Sequence, residues 1–392
     1  MELVEGVDEE VGGQINGICY NRIMKIVDAL YPYSQEWISY REPALKLINL
    51  LSKNGLTLSV IDGCGGHVLN QLTIPGATRA FRMGVVANNW EAKIQLGTPV
   101  QLMDTYGEFS LETAKYLSQL ALGLHNDTVG LAVAGEYIAI TKKGVQPWGT
   151  RILLPQNSYD AHTTQFIRSQ FSLSFAHMYL SGKKLHENGK HLLASMRLSE
   201  TIPDNNLSQT INKISDILHF SGQKIATMES CTGGALACAF DSSLIDSAWV
   251  TYDEDAKISL GVPVTTMSYG MVYSERVALA MAQAIQQKTG VAIALASTGC
   301  LDTPDTRPYH TDALPGTIYT AITIKGRDPL IKKLILPIGL REHMKLVVVE
   351  DMMNDLLFAL SQKKEEKDLF ISPIEQFIIQ NVIEVKSIQS QD

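Results

Sequence analysis

The sequence has few cysteines, and they follow no recognisable pattern. Its five cysteines form no CxxC pair, and no cysteine and histidine group has the spacing of a zinc site. An odd number also argues against a disulfide framework. We therefore expect neither a metal site nor structural disulfides, and we interpret the cysteines as buried thiols in a reducing compartment.

Long apolar runs and an excess of positive charge are missing as well. No uninterrupted apolar segment approaches the roughly 20 residues that cross a bilayer, and the acidic start lacks the pattern of a signal peptide. The formal net charge is −8, which opposes binding to a phosphate backbone. These absences predict a soluble cytoplasmic protein with neither a membrane nor a nucleic acid as partner.

What is present is the composition of a globular protein with more than one domain. The chain has 392 residues, of which 45% are hydrophobic and 19% charged. This length fits two domains that each bury a core.

An internal repeat supports two domains. The segment NGLTLSVIDGCGG, which starts at Asn54, matches SGQKIATMESCTG, which starts at Ser221. Without gaps this alignment places Gly63 opposite Ser230. EAKIQLGTP and DAKISLGVP match further on, with Lys93 opposite Lys257. The boundaries that we predict are an N-terminal extension (1–40), a first copy (41–184), a linker (185–205), a second copy (206–362) and a C-terminal tail (363–392).

The patterns within each copy predict an α/β class with mostly parallel sheets, as two tandem α/β/α sandwich domains. Short buried strands at 57–61 and 224–228 each run into a turn of small residues and then an apolar helix. A helix at 274–288 and an apolar strand at 291–296 follow in the second copy. Gly149-Thr150 aligns with Gly316-Thr317, after which the second copy reads as a hairpin whose second arm the first copy lacks.

Ser230 has a position that suits nucleophilic chemistry. It follows a buried strand and precedes a helix, whose amino end offers amides to a developing oxyanion. Thr232, Gly233 and Gly234 would let a substrate approach the backbone. The same turn also suits phosphate binding, and a serine before a helix is more often only its cap.

A serine nucleophile needs a base, and no histidine stands in a patterned relation to Ser230. Lys257, close to Tyr252, is the remaining candidate, because burial favours the neutral amine of a lysine. The competing interpretation is a solvated lysine on a helix.

The second copy resembles the CinA carboxy-terminal domain, a family of nicotinamide mononucleotide amidohydrolases. The resemblance covers about 210–360 and is carried by ATMESCTGGALACAF, WVTYDEDAKISLGVP, SYGMVYSERVALAMA, ALASTG, PGTIYTAI and GLREHMK, in that order. It implies hydrolysis of the carboxamide of nicotinamide mononucleotide to the acid and ammonia, with no metal or cofactor. It also implies that Ser230 is the nucleophile and that Tyr252 and Lys257 handle its proton.

The resemblance assigns the substrate pocket too. Four residues would line it, and a fifth is a candidate for binding the phosphate; they are Thr298, Gly299, Gly316 and Thr317, and Arg341. Two segments depart from the family pattern, at 298–304 and 313–317, where a customary lysine is missing. An extra loop at 302–312 adds Arg307 and His310, which either replace a lost contact or are simply solvated.

The first copy resembles the same family over about 44–180 but has lost the motif. Gly63 stands in the nucleophile's place and Asn88 in that of Tyr252, although Lys93 persists. Cys64 is either a substitute thiol or, as we prefer, a packing residue.

Two hypotheses about function follow. The first is an amidohydrolase with one active copy and a small-molecule nucleotide substrate. The second is a non-catalytic nucleotide-binding or regulatory protein. In either case we expect the copies to pair as an intrachain pseudo-dimer about a pseudo-two-fold axis, and further homo-oligomers stay open.

Overall fold

The computed structural model describes residues 41–152, 161–182, 206–241, 243–267, 272–302, 314–339 and 341–362. The predicted N-terminal extension, linker and C-terminal tail lie outside these ranges, as do Arg307 and His310. The described residues up to Leu357 form one compact unit, and a second unit starts at Phe358.

The first half, as we call the described residues from 41 to 182, contains six α-helices, one short 3-10 helix (Ala77–Arg79) and five strands. The helices are α1 (Glu42–Lys53), α2 (His67–Leu72), α3 (Trp90–Gln95), α4 (Val100–Tyr106), α5 (Leu111–Leu124) and α6 (Ala161–Leu180). The strands are β1 (Leu58–Asp62), β2 (Phe81–Val86), β3 (Val129–Ala134), β4 (Tyr137–Lys142) and β5 (Trp148–Arg151).

The second half, the described residues from 206 to 357, repeats this order. Its helices are α7 (Asn206–Ser221), α8 (Ala235–Cys238), α9 (Glu254–Ser259), α10 (Glu275–Thr289) and α11 (Arg341–Ser361), the last of which continues past Leu357. Its strands are β6 (Ile225–Glu229), β7 (Ile245–Thr251), β8 (Ile293–Cys300), β9 (Thr317–Ile324) and β10 (Leu330–Ile335). The strands predicted before both turns are confirmed, each one residue later in the chain than expected.

All ten strands join in one sheet, in the order β10-β9-β8-β6-β7-β2-β1-β3-β4-β5. Each half contributes a parallel core, β2-β1-β3 or β7-β6-β8, so the predicted α/β class is confirmed. The halves meet where β2 and β7 pair antiparallel, with Val85 opposite Trp249. These two residues are equivalent in the repeat, so the pairing is symmetric about a local two-fold axis. The sequence patterns did not predict that the two sheets join.

The outer strands correct one part of the repeat alignment. In the first half β3 turns directly into β4, and β4 pairs with β5. These strands occupy the places that β9 and β10 occupy beside β8. The prediction that the first copy lacks the second hairpin arm is therefore wrong, and Gly149-Thr150 in β5 is not the counterpart of Gly316-Thr317. The physical reason is the short turn at Gly135-Glu136, which starts β4 at once, whereas 16 residues separate the end of β8 from the start of β9.

Equivalent caps start equivalent helices in the two halves. Ser110 accepts a hydrogen bond from the N–H of the third residue of α5, and Ser274 does the same for α10. Asn89 caps α3 through the N–H of its third residue, and Asp253 caps α9 through the N–H of its second residue. The helices α5 and α10 pack on one face of the sheet, in an apolar core that includes strand residues of both halves.

Helices α2 and α8 approach each other closely where the halves meet. The residues that cap their N-termini, Gly66 and Gly234, have φ angles of 95° and 101°, which only glycine adopts readily. A Cβ on either glycine would lie 2.9 Å from the carbonyl oxygen of the other. The two halves can therefore pack here only because neither residue has a side chain.

Candidate active site

Ser230 begins the turn between β6 and α8 and is 6% exposed. Its N–H donates to Ser297 O of the neighbouring strand over 2.9 Å, which fixes the backbone of the turn to the sheet. The turn is therefore a rigid support for the serine hydroxyl.

The amides at the start of α8 are not available to an oxyanion. Glu229, fully buried, accepts hydrogen bonds from Gly234, Leu236 and Ala237 at 2.8–3.0 Å. Burial raises the pKa of this carboxyl, although Thr232 and these amides oppose the shift. The sequence-based expectation that the helix amides surround a substrate oxygen is wrong, because a carboxylate of the chain occupies them.

Lys257 lies on α9 and is 1% exposed. Its Nζ lies 3.3 Å from Ser230 Oγ and donates to Thr251 O over 2.8 Å. The solvated lysine that was the competing interpretation is thus excluded by burial. A base must lie within hydrogen-bond reach of the proton that it takes, and Lys257 Nζ lies close enough to Ser230 Oγ to do so.

Tyr252 faces different partners from Lys257. Its hydroxyl donates to Ile74 O over 3.4 Å and accepts from Arg341 Nη2 over 3.0 Å. Arg341 also forms an ion pair with Asp302 and donates from Nε to Thr73 O over 3.2 Å. The structure therefore joins the predicted proton-handling tyrosine to the predicted phosphate-binding arginine.

The predicted pocket residues come together at the junction of β8 and β9. Gly299 pairs with Ile318 and Cys300 with Thr317, while Gly316 N donates to Cys300 O over 2.8 Å. Thr298 is fully buried, and its Oγ1 has no hydrogen-bond partner in the described part of the chain.

Gly233 and Gly234 face the first half of the protein. A Cβ on Gly233 would lie 2.1 Å from Thr73 Oγ1, and one on Gly234 would meet Gly66 O. These glycines thus allow the first half of the protein to lie close to the turn, in the space that a side chain would otherwise occupy.

Both halves of the chain match one known protein family. A family model described as the CinA C-terminal domain matches residues 41–166 and 207–359. The chain belongs to the CinA C-terminal domain family. The two matched segments confirm the two tandem copies that the repeat predicted.

Individual relatives cover only part of the chain. A protein of Limosilactobacillus fermentum whose name describes it as competence-damage inducible is 38% identical over 144 residues, which are 35% of this chain and 34% of the relative. A CinA-like protein of Chlorobium chlorochromatii is 30% identical over 150 residues, 37% of this chain and 35% of the relative. The match thus spans about a third of the length of these relatives. The crystal structure of competence/damage inducible protein CihA from Agrobacterium tumefaciens is 25% identical, with a TM-score of 0.38, and covers 42% of this chain and 100% of its own.

The first CinA copy has a shorter turn at the position of the predicted nucleophile. Asp62 accepts from the amides of Val68 and Leu69 as Glu229 does from those of α8. Between the carboxylate and the paired glycines of each turn, however, the first copy has two residues and the second has three. The ungapped alignment is therefore wrong by one residue at the paired glycines, because Gly66 and Gly234 are the equivalent helix caps.

The lysine of the first copy forms an ion pair with a carboxylate. Lys93 is fully buried, and its Nζ forms an ion pair with Glu108 at 2.6 Å and lies 4.7 Å from the centroid of the Phe109 ring. Burial lowers the pKa of Lys93, and Glu108 opposes this shift. Two residues before the equivalent helix cap, the second copy has Val272 in place of Glu108.

The cysteines of both turns behave as packing residues. Burial raises the pKa of Cys231 to about 11 and that of Cys64 well above its usual value. Both thiols therefore stay protonated at neutral pH and are poor nucleophiles.

Sequence reasoning missed the residues that the first half contributes to this site. Thr73 and Ile74 lie against the turn and Tyr252, and Lys345 binds Asn70 and Thr73. No motif marks these residues, since they act across the junction between the copies. Asp62 and Glu229 do carry a signal in the sequence, because they are acidic residues at equivalent ends of two buried strands.

Within the residues that the structure describes, no three histidine, cysteine, aspartate or glutamate side chains are grouped so that they could hold a metal ion. No helix among them has the length and apolar character needed to cross a membrane.

Proposed function

We propose that the second half is a serine amidohydrolase that cleaves the carboxamide of nicotinamide mononucleotide, or of a related nucleotide amide, to the acid and ammonia. The observation that carries this proposal is the contact between Ser230 Oγ and Lys257 Nζ at 3.3 Å. A hydroxyl on a fixed turn beside a buried amine is the arrangement of an activated nucleophile. Family membership and the preserved ESCTGG motif support the reaction type.

The chemistry requires a neutral Lys257. The amine accepts the hydroxyl proton as Ser230 Oγ bonds to the carboxamide carbon. The C–N bond then breaks, and ammonia leaves with the proton that Lys257 returns. Water, activated by the same amine, cleaves the resulting ester, which releases the acid and restores the serine.

We assign the carboxamide end of the substrate to the region of Thr298, Gly299, Gly316 and Thr317. The buried Thr298 Oγ1 supports this, because a ligand would satisfy its hydrogen bonding. Arg341 is the candidate for the phosphate. Binding of the phosphate would break the ion pair between Arg341 and Asp302, since the phosphate and the carboxylate compete for one guanidinium. Thr232 Oγ1 instead bonds Glu229 and Ser297 and stabilises the turn.

The same ion pair favours the alternative function. If Asp302 keeps Arg341 occupied, the nucleotide phosphate is excluded and the chain is a regulatory or binding protein without turnover. Incubation with nicotinamide mononucleotide, with released ammonia and nicotinate mononucleotide both measured, separates the two. Equimolar release by the parent and none by Ser230→Ala supports the amidase, whereas calorimetric binding without either product supports the alternative.

A further inference from the structure

A short segment of the first half is packed directly on the turn that carries Ser230. Thr73, at the end of α2, is fully buried, and its side chain lies against Gly233. A Cβ on that glycine would come within 2.1 Å of Thr73 Oγ1 and 2.6 Å of its Cβ and Cγ2. The segment thus limits where the backbone of the turn can lie.

Buried polar contacts hold Thr73 in this place. Thr73 Oγ1 donates to Asn70 O over 2.9 Å and accepts from Lys345 Nζ over 2.8 Å. Lys345, which is 1% exposed, also donates to Asn70 Oδ1 over 2.9 Å. Because Lys345 belongs to the second half, these bonds tie the two halves together beside the turn.

The backbone of the same segment contacts two further residues of the candidate site. Thr73 O accepts from Arg341 Nε over 3.2 Å, and Ile74 O accepts from the Tyr252 hydroxyl over 3.4 Å. One dipeptide of the first half therefore touches the nucleophile turn, the tyrosine and the arginine.

The reciprocal arrangement has been lost. Thr73 is seven residues after Gly66, and the residue seven after Gly234 is Asp241. Asp241 is exposed, and its carboxylate accepts from Ser243 N. The first half thus supports the second half's turn with the buried Thr73 side chain. The second half has no buried hydroxyl at the equivalent position that could support the turn of the first half.

We propose that Thr73 is a positioning residue for the second half's active site. It holds the turn so that Ser230 Oγ stays within reach of Lys257 Nζ, and the catalytically degenerate half acts through it. The inference rests on the proposed amidase function.

The test compares Thr73→Val, which removes the hydroxyl and keeps the shape, with Thr73→Ser, which keeps the hydroxyl. The matched control is Thr141→Val, the same change at a buried hydroxyl of β4 that bonds Ser118 Oγ. In the full chain we would measure kcat and KM for nicotinamide mononucleotide, the melting temperature, and the rate at which a fluorophosphonate labels Ser230. In that labelling the serine oxygen bonds to phosphorus, fluoride leaves and the proton passes to Lys257.

We expect Thr73→Val to lower both kcat and the labelling rate by about tenfold to a hundredfold, as a small displacement of a reacting group does. KM should change little, Thr73→Ser should recover most of the rate, and Thr141→Val should keep parental rates at a similarly reduced melting temperature. Parental rates in Thr73→Val, or an equal loss in Thr141→Val, would overturn the inference. Labelling of the parent without hydrolysis of nicotinamide mononucleotide would rule out that substrate. The labelling rates of the variants would still decide the role of Thr73.

Discussion

Ser230 and Lys257 are 27 residues apart in the chain, yet Lys257 Nζ lies 3.3 Å from Ser230 Oγ. The serine is held by the turn after β6, and the lysine by α9, which begins directly after β7. Because β6 and β7 are adjacent parallel strands, their carboxyl ends place both side chains at one edge of the sheet.

Replacement of Ser230 by alanine is expected to abolish amide hydrolysis without loss of folding, because the turn accepts a small side chain. Cys231→Ala is the control, since burial raises the pKa of that thiol to about 11 and leaves it protonated at neutral pH. Ammonia release and melting temperature are the measurements. Equal activity in Ser230→Ala and the parent would exclude the serine mechanism.

Lys257→Met is expected to lower kcat by about 10²–10⁴-fold, the usual contribution of a positioned base. The isosteric side chain keeps the packing but cannot accept a proton. Lys93→Met makes the same change at the equivalent buried lysine, which is paired with Glu108, and should leave kcat unchanged. If both variants lose activity alike, Lys257 acts through general stability and has no role in proton transfer.

The stability of the protein should depend on pH through Lys345. Burial is the largest of the effects that together lower the pKa of this amine from 10.5 to about 7; Glu342 and Glu229 oppose it, and Arg41 and Arg341 add to it. Between pH 7 and about 10.5 the unfolded chain therefore holds a proton that the folded chain has lost, and the free energy of unfolding rises with pH.

Urea denaturation of the parent and Lys345→Met at pH 7 and pH 9 measures this contribution. The parent's free energy of unfolding should increase relative to that of the variant at the higher pH. A difference that is constant across this interval would mean that the buried amine keeps its proton.

Residues 205–392 expressed alone should not remain an active monomer. Without the first half, β7 loses its antiparallel partner β2, and an unpaired edge strand invites association. Lys345 also loses its acceptors on Asn70 and Thr73. Sedimentation and amidase assays should show self-association or aggregation with reduced activity, and a stable, fully active monomer would contradict the role of the first half as a fused partner.

The sequence by itself determined the elements and the chemistry that depend on local pattern. Buried strands that run into turns of small residues predicted β1 and β6, and the serine before α8 and the lysine in DAKISLGVP identified the pair that the structure brings together. Such features are visible because each depends on neighbours within a few residues.

Only the tertiary structure decided how the two copies are combined. The pairing of Val85 with Trp249 creates one sheet from two, and no local pattern specifies which strand edges meet. The role of Thr73 beside Gly233 and the pairing of Lys93 with Glu108 likewise depend on contacts between segments that are separated in the chain. Thr73 and Lys93 are buried polar residues, and an unpaired polar group in the interior would cost free energy of folding. The residues that pair with them are close in space but carry no mark in the sequence.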